Sequence, residues 1–304
     1  MSGQSIVSKQ NEDEQIKRLA AKKQLYLYEN IVCGTQMILA IATAIAGAIV
    51  QNKVEHSEPY VVVVSAVIGL IDVTIFETLK GRWQQLAARI QEQFDCDVLQ
   101  LQWRRLKAGP EPGPEATNAH CKRFYNNASE KNKLINWYPE IIKEVPMRPA
   151  RILCQRENCL YDARLRESYI LVIIIGLSAL TLLTLGIELY LNNKFVEALS
   201  NIVAPLIPAY IIGFREIKQN KEALEATKRL YEHAEELWEK AFNKTASEPE
   251  LDTCARFLQD ELFDNRRRAP VIFDLFYLIY RKENEALLTE STEELVKKYK
   301  QKNP

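Results

Sequence analysis

The stretch YILVIIIGLSALTLLTLGIELYL, Tyr169 to Leu191, decides the fold, together with FVEALSNIVAPLIPAYIIGF from Phe195 to Phe214 close behind it. Each holds about 20 mostly apolar residues, which at ~1.5 Å per residue match the ~30 Å hydrocarbon core of a bilayer. The same pairing occurs earlier, with Ile31–Val50 and Tyr60–Leu79 separated by a short connection. These stretches predict an all-α, multi-pass membrane protein with four transmembrane helices in two hairpins, at 31–79 and 169–214. The remainder is strongly charged, so a mean hydropathy of −0.22 conceals the spans. It divides into an N-terminal helix (1–30), a central helical region (80–168) and a C-terminal helical region (215–304).

Lysine and arginine placement orients the spans. Lys17, Arg18, Lys22 and Lys23 precede the first, and Lys80, Arg82 and Arg89 follow the second. Arg164 and Arg166 lead into the third, and Arg215, Lys218 and Lys221 follow the fourth. The two hairpin connections carry one lysine each, Lys53 and Lys194. Both termini and the central region are therefore expected in the cytosol, with only the connections outside. The first apolar run begins about 30 residues in, after a charged stretch, so no cleavable signal peptide is expected.

Composition excludes several functions. Net charge is zero, from 40 basic and 40 acidic residues, so no global field favours a nucleic acid polymer. The six cysteines fall almost entirely in segments expected to be cytosolic, where thiols stay reduced. Cys154 and Cys159 lack a second Cys/His pair, so no metal site is expected. His56, His120 and His233 are scattered and no Gly-rich phosphate loop occurs, so no catalytic constellation and no enzyme are expected.

Polar residues inside the spans are the first functional candidates. Asp72 lies past the midpoint of span two, where it either reaches the interface or a neighbouring hydroxyl, or faces a water-filled lumen. Glu77, nearer the end, is expected to reach the interface. In span three, Thr181, Thr184 and Glu188 share a helical face, with Ser178 at its margin. Such hydroxyls are either satisfied within the bundle or line a pore with Asp72, Glu188 standing near its outer mouth. Pro205 and Pro208 in span four each remove an amide donor, so a kink or break, and a gate hinge, is expected there. Ala40, Ala44 and Ala48 repeat at every fourth residue of span one and predict close helix packing.

Outside the spans, a helix is expected to run on from span two toward Arg105, ended by Gly109-Pro110-Glu111-Pro112-Gly113-Pro114. A second is expected over about Glu115–Trp137, and a third from Pro149 straight into span three. Ile217, Leu224, Tyr231 and Trp238 recur every seven residues beyond span four. With the small residues Thr227, Ala234 and Ala241 they predict a seam for a partner helix of this chain or another subunit. Val271–Tyr280 is too short to span and predicts a core or interfacial helix.

The segments Asn136-Trp137-Tyr138-Pro139 and Cys154-Gln155-Arg156-Glu157-Asn158-Cys159, followed by Leu165-Arg166, carry a family resemblance. So do Leu258-Gln259-Asp260, Arg266-Arg267, Pro270, Asp274, Tyr277 and Arg281. With the two-plus-two spans, the chain resembles the bacterial SMODS-associated four-transmembrane effectors, regarded as pore-forming and found in defence systems beside cyclic-oligonucleotide synthetases. The resemblance covers nearly the whole chain. It implies a homo-oligomeric effector of the inner membrane that permeabilises the bilayer in antiviral defence. It also implies a cyclic di- or trinucleotide as activating ligand and no cofactor otherwise. A membrane-anchored sensor or scaffold without pore activity is the alternative. Arg151 and Arg156 are the candidates for phosphate, since arginine forks suit it. Pairing with nearby carboxylates or lipid headgroups is the other reading, and the better one for Arg164 and Arg166.

Overall fold

The computed structural model describes residues 2–54, 56–190 and 195–303. The Asn192–Asn193–Lys194 turn, and with it the tip of the second hairpin, lies outside the described residues. Within them the regular secondary structure is helical, apart from an isolated bridge between Ser2 and Pro146. The helices are α1 (Gln4–Gln10), α2 (Asp13–Lys53), α3 (Glu58–Ile71), α4 (Glu77–Val98), α5 (Arg105–Ala108) and α6 (Pro114–Tyr125). They continue with α7 (Ala128–Asn132), α8 (Met147–Tyr190), α9 (Phe195–Asn243), α10 (Glu248–Arg268) and α11 (Asp274–Lys302). A π-helical turn, Asp72–Phe76, joins α3 to α4 without a break.

Local sequence places these ends. Asp13 and Glu14 open α2, where anions complement the helix dipole. Ser247 caps α10 by accepting from the Glu250 amide, with Pro249 in the first turn. Gly109, at φ 76°, ends α5 in a conformation that suits a residue without a Cβ.

Three helices among the described residues are long and apolar enough to cross a membrane: Asp13–Gly47, Pro59–Val98 and Met147–Tyr190. The fourth apolar stretch forms the start of α9. Val62, Val63, Val64, Val67 and Leu70 of α3 and Leu171, Ile174, Ile175 and Leu182 of α8 are exposed. In water that surface would be strongly unfavourable; in hydrocarbon it is the required exterior. On the interior, Ala40 packs on Ala209 and Ile212, and Ala44 on Ile202 and Leu206. The side chain of Ala48 is outside the described set.

The N-terminal, central and C-terminal water-facing segments share one hydrophobic core. Ile6 and Leu19, then Phe94, Tyr138 and Ile152, then Leu237, Leu258, Val296 and Tyr299 all contribute to it. They form a single helical head into which α2, α4, α8 and α9 extend from the spans.

The structure departs from the sequence expectations in four places. α4 stops at Val98 rather than running toward Arg105, because the Arg151 guanidinium takes the carbonyls of Leu99 (2.7 Å) and Gln100 (3.2 Å) that a longer helix would use. The helix expected over 115–137 ends at Tyr125. Asn127 then caps a separate short α7, and Asn136 turns the chain at φ 55°. The buried row of the α9 heptad is Asn220, Thr227, Ala234 and Ala241, with Ile217, Leu224 and Tyr231 only half-buried. Small residues let α8 and α10 of the same chain approach that row closely. Finally, α9 runs unbroken through Pro205 and Pro208, so the break expected there does not occur. Pro205 sits in the space left by Gly47, where an added Cβ would lie 2.6 Å from the proline ring. Packing against α2 carries the helix through the missing amide donors.

Candidate functional site at the membrane junction

Where the spans meet the head, charged groups are gathered inside the bundle. Asp72 opens the π-helical turn, whose extra residue re-aims the helix face. Its side chain is buried at 2 % exposure and points at α2 and α9. Arg215 of α9 holds it with both arms of the guanidinium, Nη1 to Oδ2 at 2.5 Å and Nη2 to Oδ1 at 3.2 Å. Gln36 of α2 donates to the same carboxylate. Arg215 also reaches Glu77 at 3.4 Å.

One turn toward the head, Lys80 lies 3.0 Å from Glu77 and 3.3 Å from the buried Glu216. The Asn220 amide donates to the Glu216 carbonyl at 2.9 Å and accepts at Oδ1 from Arg166, at 2.7 Å. Arg166 continues to Asp162 (2.9 Å) and to the Pro270 carbonyl (3.0 Å). A continuous polar chain thus links span two, span four and the end of α10. Glu29, Cys33 and Gln36 line it from one face of α2, each nearly inaccessible to solvent. Bidentate arginine–carboxylate geometry is directional, so this cluster fixes the rotation of spans two and four about each other.

Thr181, Thr184 and Glu188 lie on the inner face of α8. Thr181 shares a 2.7 Å hydrogen bond with the Tyr210 hydroxyl of α9, and Thr184 donates to the Leu180 and Thr181 carbonyls at 3.0 Å. Thr184 and Glu188 are fully buried within the chain. Asp72 contacts α9 through Arg215 and the threonines contact it through Tyr210, so the structure does not bring the two sets together. Arg151 is engaged by the α4 terminus and by Asp252 at 2.8 Å. Arg156 pairs with Glu235 and donates to the Tyr231 hydroxyl at 2.9 Å. Both guanidiniums are buried and fastened within the head.

Gln36, Arg215 and Glu216 are the site residues that sequence reading passed over. A signal existed: a carboxylate within a span demands a partner, and Arg215 follows span four at nearly the depth of Asp72. Equally unread were Glu92 and Asp95 of α4, on which the motif residues converge. Asp95 accepts from Tyr138 (2.9 Å), Gln259 (3.1 Å) and Arg266. Glu92 accepts from Arg256 (2.6 Å) and Gln259 (2.8 Å). Asn158 donates to the Tyr138 hydroxyl at 3.0 Å and Gln155 to Gln259 at 3.0 Å. The motifs thus meet in one buried polar network at the heart of the head.

The family model described as the SMODS-associating 4TM effector domain matches residues 4–295. Among curated proteins, the chain is 25 % identical over 293 residues to a protein of Bacillus cereus (strain VD146) named as a probable CBASS effector molecule. That match covers 93 % of this chain and 96 % of the relative. No solved structure matches.

Proposed function

This chain belongs to the SMODS-associating 4TM effector domain family, and from that premise we propose that it is a membrane effector of bacterial antiviral defence. In this reading several copies assemble in the inner membrane, with the helical head in the cytosol. They open a conducting path when a cyclic oligonucleotide reaches that head. The name of the Bacillus cereus relative, a probable CBASS effector molecule, supports the defence role.

The observation that carries the gated reading is the buried pair between Asp72 and Arg215. Charges inside a span are expensive and mark ion paths or moving parts. Breaking a buried pair on one side costs ~3–5 kcal/mol, comparable to the ~5.5 kcal/mol that carries a two-state equilibrium from one side to the other. The pair therefore acts as a latch that holds the resting arrangement. Rotation of α3 or α9 turns Asp72 and Glu77 toward the space between helices.

The test is dye and ion leakage from liposomes holding the purified protein, with and without a panel of cyclic di- and trinucleotides. Leakage is expected with one nucleotide and not without it. Asp72→Asn is expected to lower the nucleotide concentration needed by at least about tenfold, because the latch is weakened. An unchanged threshold would remove the latch. Nucleotide binding without leakage would support the sensor or scaffold reading, which the burial of Thr184 and Glu188 inside the protomer favours.

A further inference from the structure

Lys22 lies on the α2 face that carries Glu29, Cys33, Gln36, Ala40 and Ala44, all of them buried. Its ammonium is 4.1 Å from the centre of the Trp137 ring and 6.0 Å from that of Tyr26. Among the described residues it makes no ion pair or hydrogen bond. The neighbouring lysines differ: Lys17 and Lys131 face Asp13, and Lys23 faces Glu130. Burial pushes the Lys22 ammonium down to about 7, with the like charge of Arg266 adding to the effect. Arg266 is itself fastened to Asp95. A ring face offsets only part of the desolvation of such a cation, and an anion from outside would supply the rest.

Trp137 and Tyr26 are both half-buried. An ammonium and two rings thus come together from α2 and the segment before Pro139. A phosphodiester joined to a base requires both elements, cations for the phosphate and flat π faces for stacking.

We propose that Lys22, Tyr26 and Trp137 form the nucleotide site of the head, with a phosphodiester on Lys22 and a base on Trp137. This deepens the function proposed above and rests on its nucleotide ligand. The guanidiniums of Arg151, Arg156 and Arg266 are engaged instead by Asp252, Glu235 and Asp95. Because α2 is unbroken from Asp13 to Lys53, a shift at Lys22 carries ~21 Å along a rigid helix to Gln36, the donor to Asp72.

The experiment uses the full-length protein in detergent and equilibrium binding of cyclic di-AMP, cyclic GMP–AMP and cyclic tri-AMP. Wild type is expected to bind at least one of them. Lys22→Met and Trp137→Ala are expected to weaken it by at least about tenfold, and Trp137→Phe to retain most of the affinity. Without nucleotide, Lys22→Met is expected to keep or raise the unfolding temperature, since an apolar chain replaces a lone buried cation. Full affinity in Lys22→Met and Trp137→Ala would overturn the site and leave the effector reading intact. Affinity lost together with a lowered unfolding temperature in Lys22→Met would also overturn it, by giving Lys22 a structural role. A wild-type protein that binds none of the three removes the nucleotide ligand, and the reading it supports falls with the site.

Discussion

Glu157 illustrates how burial sets the behaviour of single residues in this head. It lies on the water-facing part of α8, accepts from the Thr292 hydroxyl of α11 at 3.4 Å, and is almost inaccessible. Burial pushes its carboxyl up to about 8, and the opposing pulls of the Thr292 hydrogen bond and Arg156 are smaller. The folded head therefore keeps a proton that the unfolded chain releases near its ordinary value of 4.5. Stability from this group is full below that value and is lost as pH rises toward about 8. Glu157→Gln keeps an acceptor for Thr292 and removes the titration. The variant should match wild type near pH 4.5 and exceed it at pH 8 by on the order of 2–4 kcal/mol. Unfolding followed at both pH values checks this, and a pH-independent difference would count against it.

At the scale of elements, the contact between α2 and α9 depends on a glycine and a proline. A Cβ on Gly47 would lie 2.6 Å from Pro205 Cγ and 3.2 Å from Val61 Cγ1. Neither the rigid ring nor a β-branched valine yields easily, so Gly47→Ala should force α2 from α9 and cost roughly 1–3 kcal/mol. Pro205→Ala removes the ring and restores an amide donor, and the double variant should recover most of the loss. Thermal unfolding in detergent across the four proteins reads the coupling; strict additivity would mean that the two residues do not share this contact. The pairing was half legible. Ala40 and Ala44 announced a packing face in span one, whereas the two prolines pointed to a kink or a break, and α9 has no break. Local propensity is a weak term where tertiary packing holds the helix on both sides of a lost hydrogen bond.

For the whole molecule, the shared core ties the water-facing segments together. Phe94 and Tyr138 of the central region pack with Ile6 from the N-terminus and Leu258 and Tyr299 from the C-terminal region. Residues 80–168 on their own would expose the faces that α2, α9 and α10 cover. That segment, expressed alone, should lack a cooperative melt and be cut rapidly by protease. A protected, cooperatively folding fragment would show that the central region has its own core.

Periodicity and span length were enough to announce an all-helical chain with membrane-length apolar helices, because a bilayer selects on length and hydropathy that any single sequence displays. The motif residues Tyr138, Gln155, Gln259 and Arg266 were also visible in the chain, but not their meeting place. Glu92 and Asp95 look like ordinary charges of an amphipathic helix until α8 and α10 are laid against them. The partners of Asp72 were hidden for the same reason. Gln36 and Arg215 stand 36 residues before it and 143 after it, and only helix packing puts them at one carboxylate. Tertiary structure likewise decided that Arg151 ends α4 and that Lys22 lies against the Trp137 ring. Which charges a residue meets depends on long-range contacts, and no local pattern encodes them.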